Sequence, residues 1–94
     1  MIIGACTIQL YLPGVTSLKE KRRLLKPLLN QLRRTFEVAA TEVDHQDTWQ
    51  SAAIAIVTVA NETGHSYAVL ENAVHWIEEQ YRAVQVIDWH VELR

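Results

Sequence analysis

Ser17–Arg34 reads SLKEKRRLLKPLLNQLRR, and this stretch decides both the fold and the surface of the chain. Ser17 and Glu20 stand in the S-x-x-E spacing of a capping box, which places a helix start at Leu18. At about 100° per residue, Leu18, Leu25, Leu28, Leu29, Leu32 and Phe36 fall within one arc of about 100°, a face for the core. Lys19, Arg22, Arg23, Lys26, Arg33 and Arg34 occupy a second arc beside it, while Lys21 points closer to the core edge. Pro27 lies nearly opposite the leucines. Its missing N–H predicts a bend near Arg23–Pro27 within one continuous helix.

The stretch holds seven of the nine basic residues against one acid, so it carries +6 (7 − 1) and the remainder −8 within a total of −2. Such crowding is unfavourable. Lys19–Arg23 and Arg22–Lys26 are like-charge i,i+4 pairs costing ~0.2–0.5 kcal/mol each. Lys19, Lys21 and Arg22 also oppose the positive end of the helix dipole, at ~0.3–1 kcal/mol per charge before screening. A local rule broken repeatedly on one face points to an external anionic partner. The competing reading is a solvated face whose long basic stems cover the core edge. Arg33 and Arg34 suit a helix C-terminus in either case.

Outward from this helix the pattern is regular. Met1–Leu12 alternates, with Ile2, Cys6, Ile8, Leu10 and Leu12 on one side and Thr7, Gln9 and Tyr11 on the other, a strand ended by Pro13-Gly14. Phe36–Asp44 reads as a second strand, Asp44–Asp47 as a turn and Trp49–Ala60 as a third strand. Tyr67, Leu70, Val74, Ile77 and Tyr81 mark a helix over Ser66–Tyr81. Val84–Leu93 returns to period two, setting Ile87, Trp89, Val91 and Leu93 against Asp88, His90 and Glu92. The order βαββαβ resolves into a single α+β domain over residues 1–94: a ferredoxin-like sandwich, a four-stranded antiparallel sheet with two helices on one face.

A hydrophobic fraction of 49% with 21% charged residues excludes a disordered chain. The lone Cys6 cannot form an intrachain disulfide, which favours a reducing, cytoplasmic setting, and it reads as a small buried hydrophobe. The longest apolar run, Ala52–Ala60, is about half of the ~20 residues a membrane span needs. The N-terminus, apolar from Ile2 onward, lacks the basic leader and cleavage site of a signal peptide. The third strand is apolar in both phases, with Ile54 and Ile56 on one side and Ala53, Ala55, Val57 and Val59 on the other, although one sheet face has no helix to cover it. A second subunit is one expected cover, giving a homo-oligomer such as a dimer.

The segments SLKEKRR, RRTFEV and EVDHQDTWQSA, over roughly Leu10–Ala52, resemble the YlxP-like family, small bacterial proteins of unassigned function. The residues that carry the likeness are Ser17, Leu18, Lys19, Lys21, Arg22, Glu42, Asp44, Asp47, Trp49 and Gln50. The resemblance implies a ferredoxin-like fold and a genomic setting among translation and ribosome-maturation genes. It implies no catalytic residue and no mechanism.

Chemistry is sparse elsewhere. Glu42, Asp44, His45 and Asp47 crowd one turn without a ligand spacing, and turn stabilisation accounts for the aspartates. Asp88, His90 and Glu92 align on one strand face but lack a pocket, a nucleophile and a stabiliser of charge. His65 and His75 do not share a helix face. The loop before the first helix lacks the Arg that an acylphosphatase-like site needs, and no phosphate-binding glycine motif is present. No cofactor or metal is implied, and a binding module is favoured over a catalyst. RNA, on a ribosomal particle for instance, is the expected partner, contacted through phosphates by Lys19, Arg22, Arg23, Lys26, Arg33 and Arg34; no aromatic platform exists to stack bases. Tyr11, Trp49, Gln50 and Trp76 are candidates for a protein interface. The alternative is a homo-oligomeric scaffold joined by the open sheet face, or by a basic helix on a neighbour's acidic strands.

Overall fold

A computed structural model describes every residue, Met1–Arg94. Six elements follow in order: β1 (Ile2–Tyr11), α1 (Leu18–Phe36), β2 (Ala39–Asp44), β3 (Ser51–Ala60), α2 (Thr63–Gln80) and β4 (Gln85–Leu93). The sheet runs β2-β3-β1-β4 with every neighbouring pair antiparallel. α1 packs beside β2 and α2 over β1, β3 and β4, which completes the ferredoxin-like sandwich that the element order predicts.

The core follows the alternation of β1. Cys6, Ile8 and Leu10 are buried and lie opposite Ile56, Ile54 and Ala52 of β3. Leu25, Leu28 and Leu32 descend from α1, and Leu70, Val74 and Ile77 from α2. Cys6 is sealed in this layer, and burial pushes its thiol up to about 11. It is an inert core residue rather than a nucleophile.

Three local differences from the sequence pattern have identifiable causes. Phe36 belongs to α1, because the helix ends only when Glu37 takes a left-handed conformation (φ 54°); β2 then starts at Ala39. Two bulges alter the strand phases. Between Gln9 and Leu10 the partner changes from Asp88 to Val86, so Val86 turns toward the core and Ile87 is left 61% exposed. Between Glu42 and Asp44 the extra residue is Val43, also exposed. α1 continues through Pro27, which faces solvent.

Gly4 lies where side chains of α2 and β4 press on β1. A Cβ there would stand 3.0 Å from Leu70 Cδ1 and 3.3 Å from Leu93 Cδ2, whereas one on Gly14 would meet nothing within 4 Å. Gly4→Ala is expected to lower stability by about 1 kcal/mol in urea unfolding, the crowding of Leu70 and Leu93 outweighing what a strand gains by losing a glycine. Gly14→Ala should stay within about 0.5 kcal/mol of the parent. Equal effects at the two positions would contradict this packing.

Candidate functional site

The first turn of α1 meets the β2–β3 connection at one corner of the sandwich, and Lys21 makes the joint. The residue is only 1% exposed. Its Nζ donates to the backbone oxygens of His45 (2.5 Å) and Thr48 (2.7 Å) and lies 2.8 Å from Glu42 Oε2. Two of the three N–H donors of the ammonium are thus hydrogen-bonded, and the Glu42 carboxylate stands beside them at ion-pair distance. A buried charge is tolerated only when paired and hydrogen-bonded in this way. The same contacts fix the connection, in which His45 holds φ 63° and Asp44 Oδ1 accepts from the His45 N–H.

Neighbouring contacts finish the corner. Ser17 caps α1 by accepting from the Glu20 N–H (3.1 Å). The other half of the expected capping box is displaced by one residue: Glu20 Oε2 accepts from the backbone N–H and hydroxyl of Thr16, not from Ser17. Those two bonds, hydroxyl first, hold the Glu20 carboxyl below its ordinary range, helped by the field of Arg23, which lies beyond ion-pair distance. Gln50 donates from Nε2 to Pro13 O (3.3 Å) and Val15 O (3.2 Å), while its own backbone oxygen accepts from the Leu12 N–H. Ser17, Lys21, Glu42, Asp44 and Gln50, which carry much of the family resemblance, are thus placed in one region by the fold.

Burial of Lys21 sets the rotation of α1 and turns the other cations outward. Lys19, Arg22, Arg23, Lys26, Arg33 and Arg34 are all exposed. None lies within ion-pair distance of a carboxylate; the ion pairs of the molecule are Lys21–Glu42, His75–Glu78, His90–Glu92 and Arg94–Glu92. Arg33 alone is tied down. Its Nε and Nη2 donate to Ala40 O on β2, and Nη1 donates to Asn30 Oδ1 at 2.7 Å. Ala40 O is thereby covered, which blunts the edge strand at that point.

The candidate interface residues are dispersed. Trp49 follows the clamped turn and is 51% exposed. Tyr11 lies on the open sheet face opposite Ser51 and Gln85. Gln50 uses its side chain on its own loop. Trp76 packs between Phe36 (ring centroids 5.9 Å apart) and Tyr81 (5.6 Å), and Tyr81 donates to Gln31 Oε1. Asp88, His90 and Glu92 stand exposed along the edge strand β4, Glu92 lying 3.1 Å from Arg94 and 3.8 Å from His90. No three His, Cys, Asp or Glu side chains converge as a metal site. No helix is long and apolar enough to cross a membrane. Sequence reasoning set Lys21 at the core edge without assigning it a role. The signal available was a Lys within the leucine arc and a Glu on the strand that follows.

With this geometry in place, comparison with known proteins identifies the family. The chain belongs to the family described as "Protein of unknown function (DUF503)", which it matches over residues 3–91. It is 29% identical to the uncharacterized protein YlxP of Bacillus subtilis over 91 residues, covering 94% of this chain and 99% of that one. Among solved structures it resembles two de novo designed proteins, both at 11% identity. One, described as having a ferredoxin fold, gives a TM-score of 0.59 over 100% of this chain and 84% of its own. The other, Foldit4, gives 0.54 over 100% and 97%. These two likenesses concern the fold.

Replacing Lys21 by Met would strand the Glu42 carboxylate and two turn carbonyls. Lys21→Met is expected to cost about 3 kcal/mol in urea unfolding, with Lys21→Met/Glu42→Gln recovering part of the loss. A single variant within about 1 kcal/mol of the parent would contradict the clamp.

Proposed function

We propose that this DUF503 domain is a non-catalytic module that binds RNA, as exposed on a ribosomal particle, through phosphate contacts from the basic face of α1. One observation carries the reading: the six outward cations of α1 have no carboxylate of their own molecule within ion-pair distance. The chain has eleven acidic residues in all, so counter-charges were available to the fold and were placed elsewhere. The residual like-charge repulsion along α1 is relieved when phosphates enter between the side chains. Contacts of this kind position a protein on a backbone and read no base. The ligand class is accordingly RNA shape rather than RNA sequence.

A second observation favours self-association as an additional property. On the face opposite the helices, Ile3 pairs with Val59, and Ala5 with Val57, which in turn faces Ala39. Val59 is 62% exposed. This apolar row suits a copy of the same chain, giving a homodimer through the open face.

Four to six phosphate contacts predict a log-log salt slope of about −3 to −5, a loss of roughly 60- to 1000-fold in affinity between 50 and 200 mM salt. Changing Lys19, Arg22, Arg23 and Lys26 together to Glu should abolish RNA binding and co-sedimentation with ribosomal subunits. Salt-insensitive binding, or binding that survives the four changes, refutes the reading. For the second property, light scattering should give a dimer mass for the parent and a monomer mass for Val59→Lys with an unchanged circular dichroism spectrum. A parent that is monomeric throughout removes it.

A further inference from the structure

Between α1 and the β2 edge runs a groove of about 310 Å³ with a basic rim and an apolar floor. Arg22, Lys26 and Arg33 line it at helix positions i, i+4 and i+11, one stripe on the side of α1 toward β2. Leu25, buried, and Leu29, half-buried, form the floor. Glu42 closes one end, but its charge is matched by Lys21 at 2.8 Å. The groove therefore holds a net +3 (Arg22, Lys26, Arg33 and Lys21, less Glu42).

Arg33 is the fixed member. Bonds to Ala40 O and Asn30 Oδ1 engage Nε and one N–H on each terminal nitrogen, which leaves one N–H on each free. A guanidinium already oriented by its own backbone loses little side-chain freedom on meeting an anion. The other groove flanking α1, about 440 Å³ beside Pro13 and Ala83, contains Arg23 but also Glu20, so it is neutral overall (+1 − 1). The Glu20 carboxylate, which accepts from the Thr16 N–H and hydroxyl, repels phosphate there. Charge thus separates two grooves of similar size.

Resting on the RNA-binding reading above, we infer that the α1–β2 groove seats one phosphodiester unit of an RNA strand, its phosphate between Arg33 and Lys26, its sugar against Leu25 and Leu29, and Arg22, a further turn along α1, on the next phosphate. The volume lies at the lower limit for ligand clefts, enough for a single nucleotide unit and too small for a duplex. Lys19, Arg23 and Arg34 then act at longer range on adjacent phosphates, where salt screens them.

Two double variants that remove equal charge test the assignment, both leaving Arg33 and the Lys21 clamp intact. Arg22→Gln/Lys26→Gln should weaken oligouridylate binding roughly 100-fold through two lost charge-assisted contacts. Lys19→Gln/Arg23→Gln should weaken it less than about tenfold. In parallel, NMR titrations of the parent with oligouridylate and with inorganic pyrophosphate should both shift Leu25, Leu29, Asn30 and Arg33 most. If RNA binds but the two variants lose equal affinity and the shifts spread over Lys19, Arg23 and Arg34, the groove is wrong while the RNA reading stands. If pyrophosphate shifts the groove and RNA does not bind, the anion seat stands and the RNA reading and its phosphodiester fall. No shift with either ligand overturns both.

Discussion

Everything on the surface of this domain depends on one buried ammonium. Lys21 reaches from the first turn of α1 to carbonyls 24 and 27 residues further along the chain and to a carboxylate on β2. Taking an ammonium out of water costs several kcal/mol, so it stays inside only while it is both hydrogen-bonded and paired with a carboxylate. That requirement acts as a geometric lock. It fixes the axial rotation of α1 against the sheet, together with the leucines that flank Lys21 on the helix. A rotation of one residue, about 100°, would expose Lys21 and drive a neighbouring cation into the core.

The lock explains how an almost neutral chain displays a strongly polarised surface. Local repulsion along SLKEKRRLLKPLLNQLRR would be eased if acidic strands folded against it, yet the one carboxylate that reaches α1 closely is used on the one cation that points inward. Other acidic residues lie on other elements, including Glu71, Glu78 and Glu79 on α2 and Asp88 and Glu92 on β4, and none of them is within ion-pair distance of an α1 cation. Arg33 contributes differently: it covers an edge carbonyl of β2 while remaining exposed, so a structural contact and a displayed charge coexist in one side chain. Its tether is also what distinguishes one groove along α1 from the other.

Much of this was legible in the residues. The alternation of Cys6, Ile8 and Leu10, the Ser17 cap and the leucine arc are strong periodic signals, and the βαββαβ order leaves few topologies. What periodicity misses is an insertion of one residue. The bulges at Ile87 and Val43 reverse strand phase without any glycine or proline to announce them, so Ile87 reads as core and stands in solvent. The left-handed Glu37 is equally silent, so Phe36 reads both as the last member of the helical arc and as the first residue of the second strand, and the structure keeps only the former. The role of Lys21 was hidden for another reason. Its partners are two backbone oxygens of a turn distant in sequence and a carboxylate on β2, and backbone acceptors leave no mark on residue type. The outward placement of the remaining cations follows from helical spacing alone; whether carboxylates neutralised them was a tertiary question.

The central claim is that α1 sorts its cations, one inward as a strut and the rest outward as a docking face. Its three lysines, Lys19, Lys21 and Lys26, are all the lysines of the chain, so amine labelling of the native protein followed residue by residue by mass spectrometry tests the sorting directly. The account predicts rapid modification of Lys19 and Lys26, with Lys21 modified only once denaturant unfolds the chain. Modification of Lys21 in the native protein at the rate of its two neighbours would contradict it.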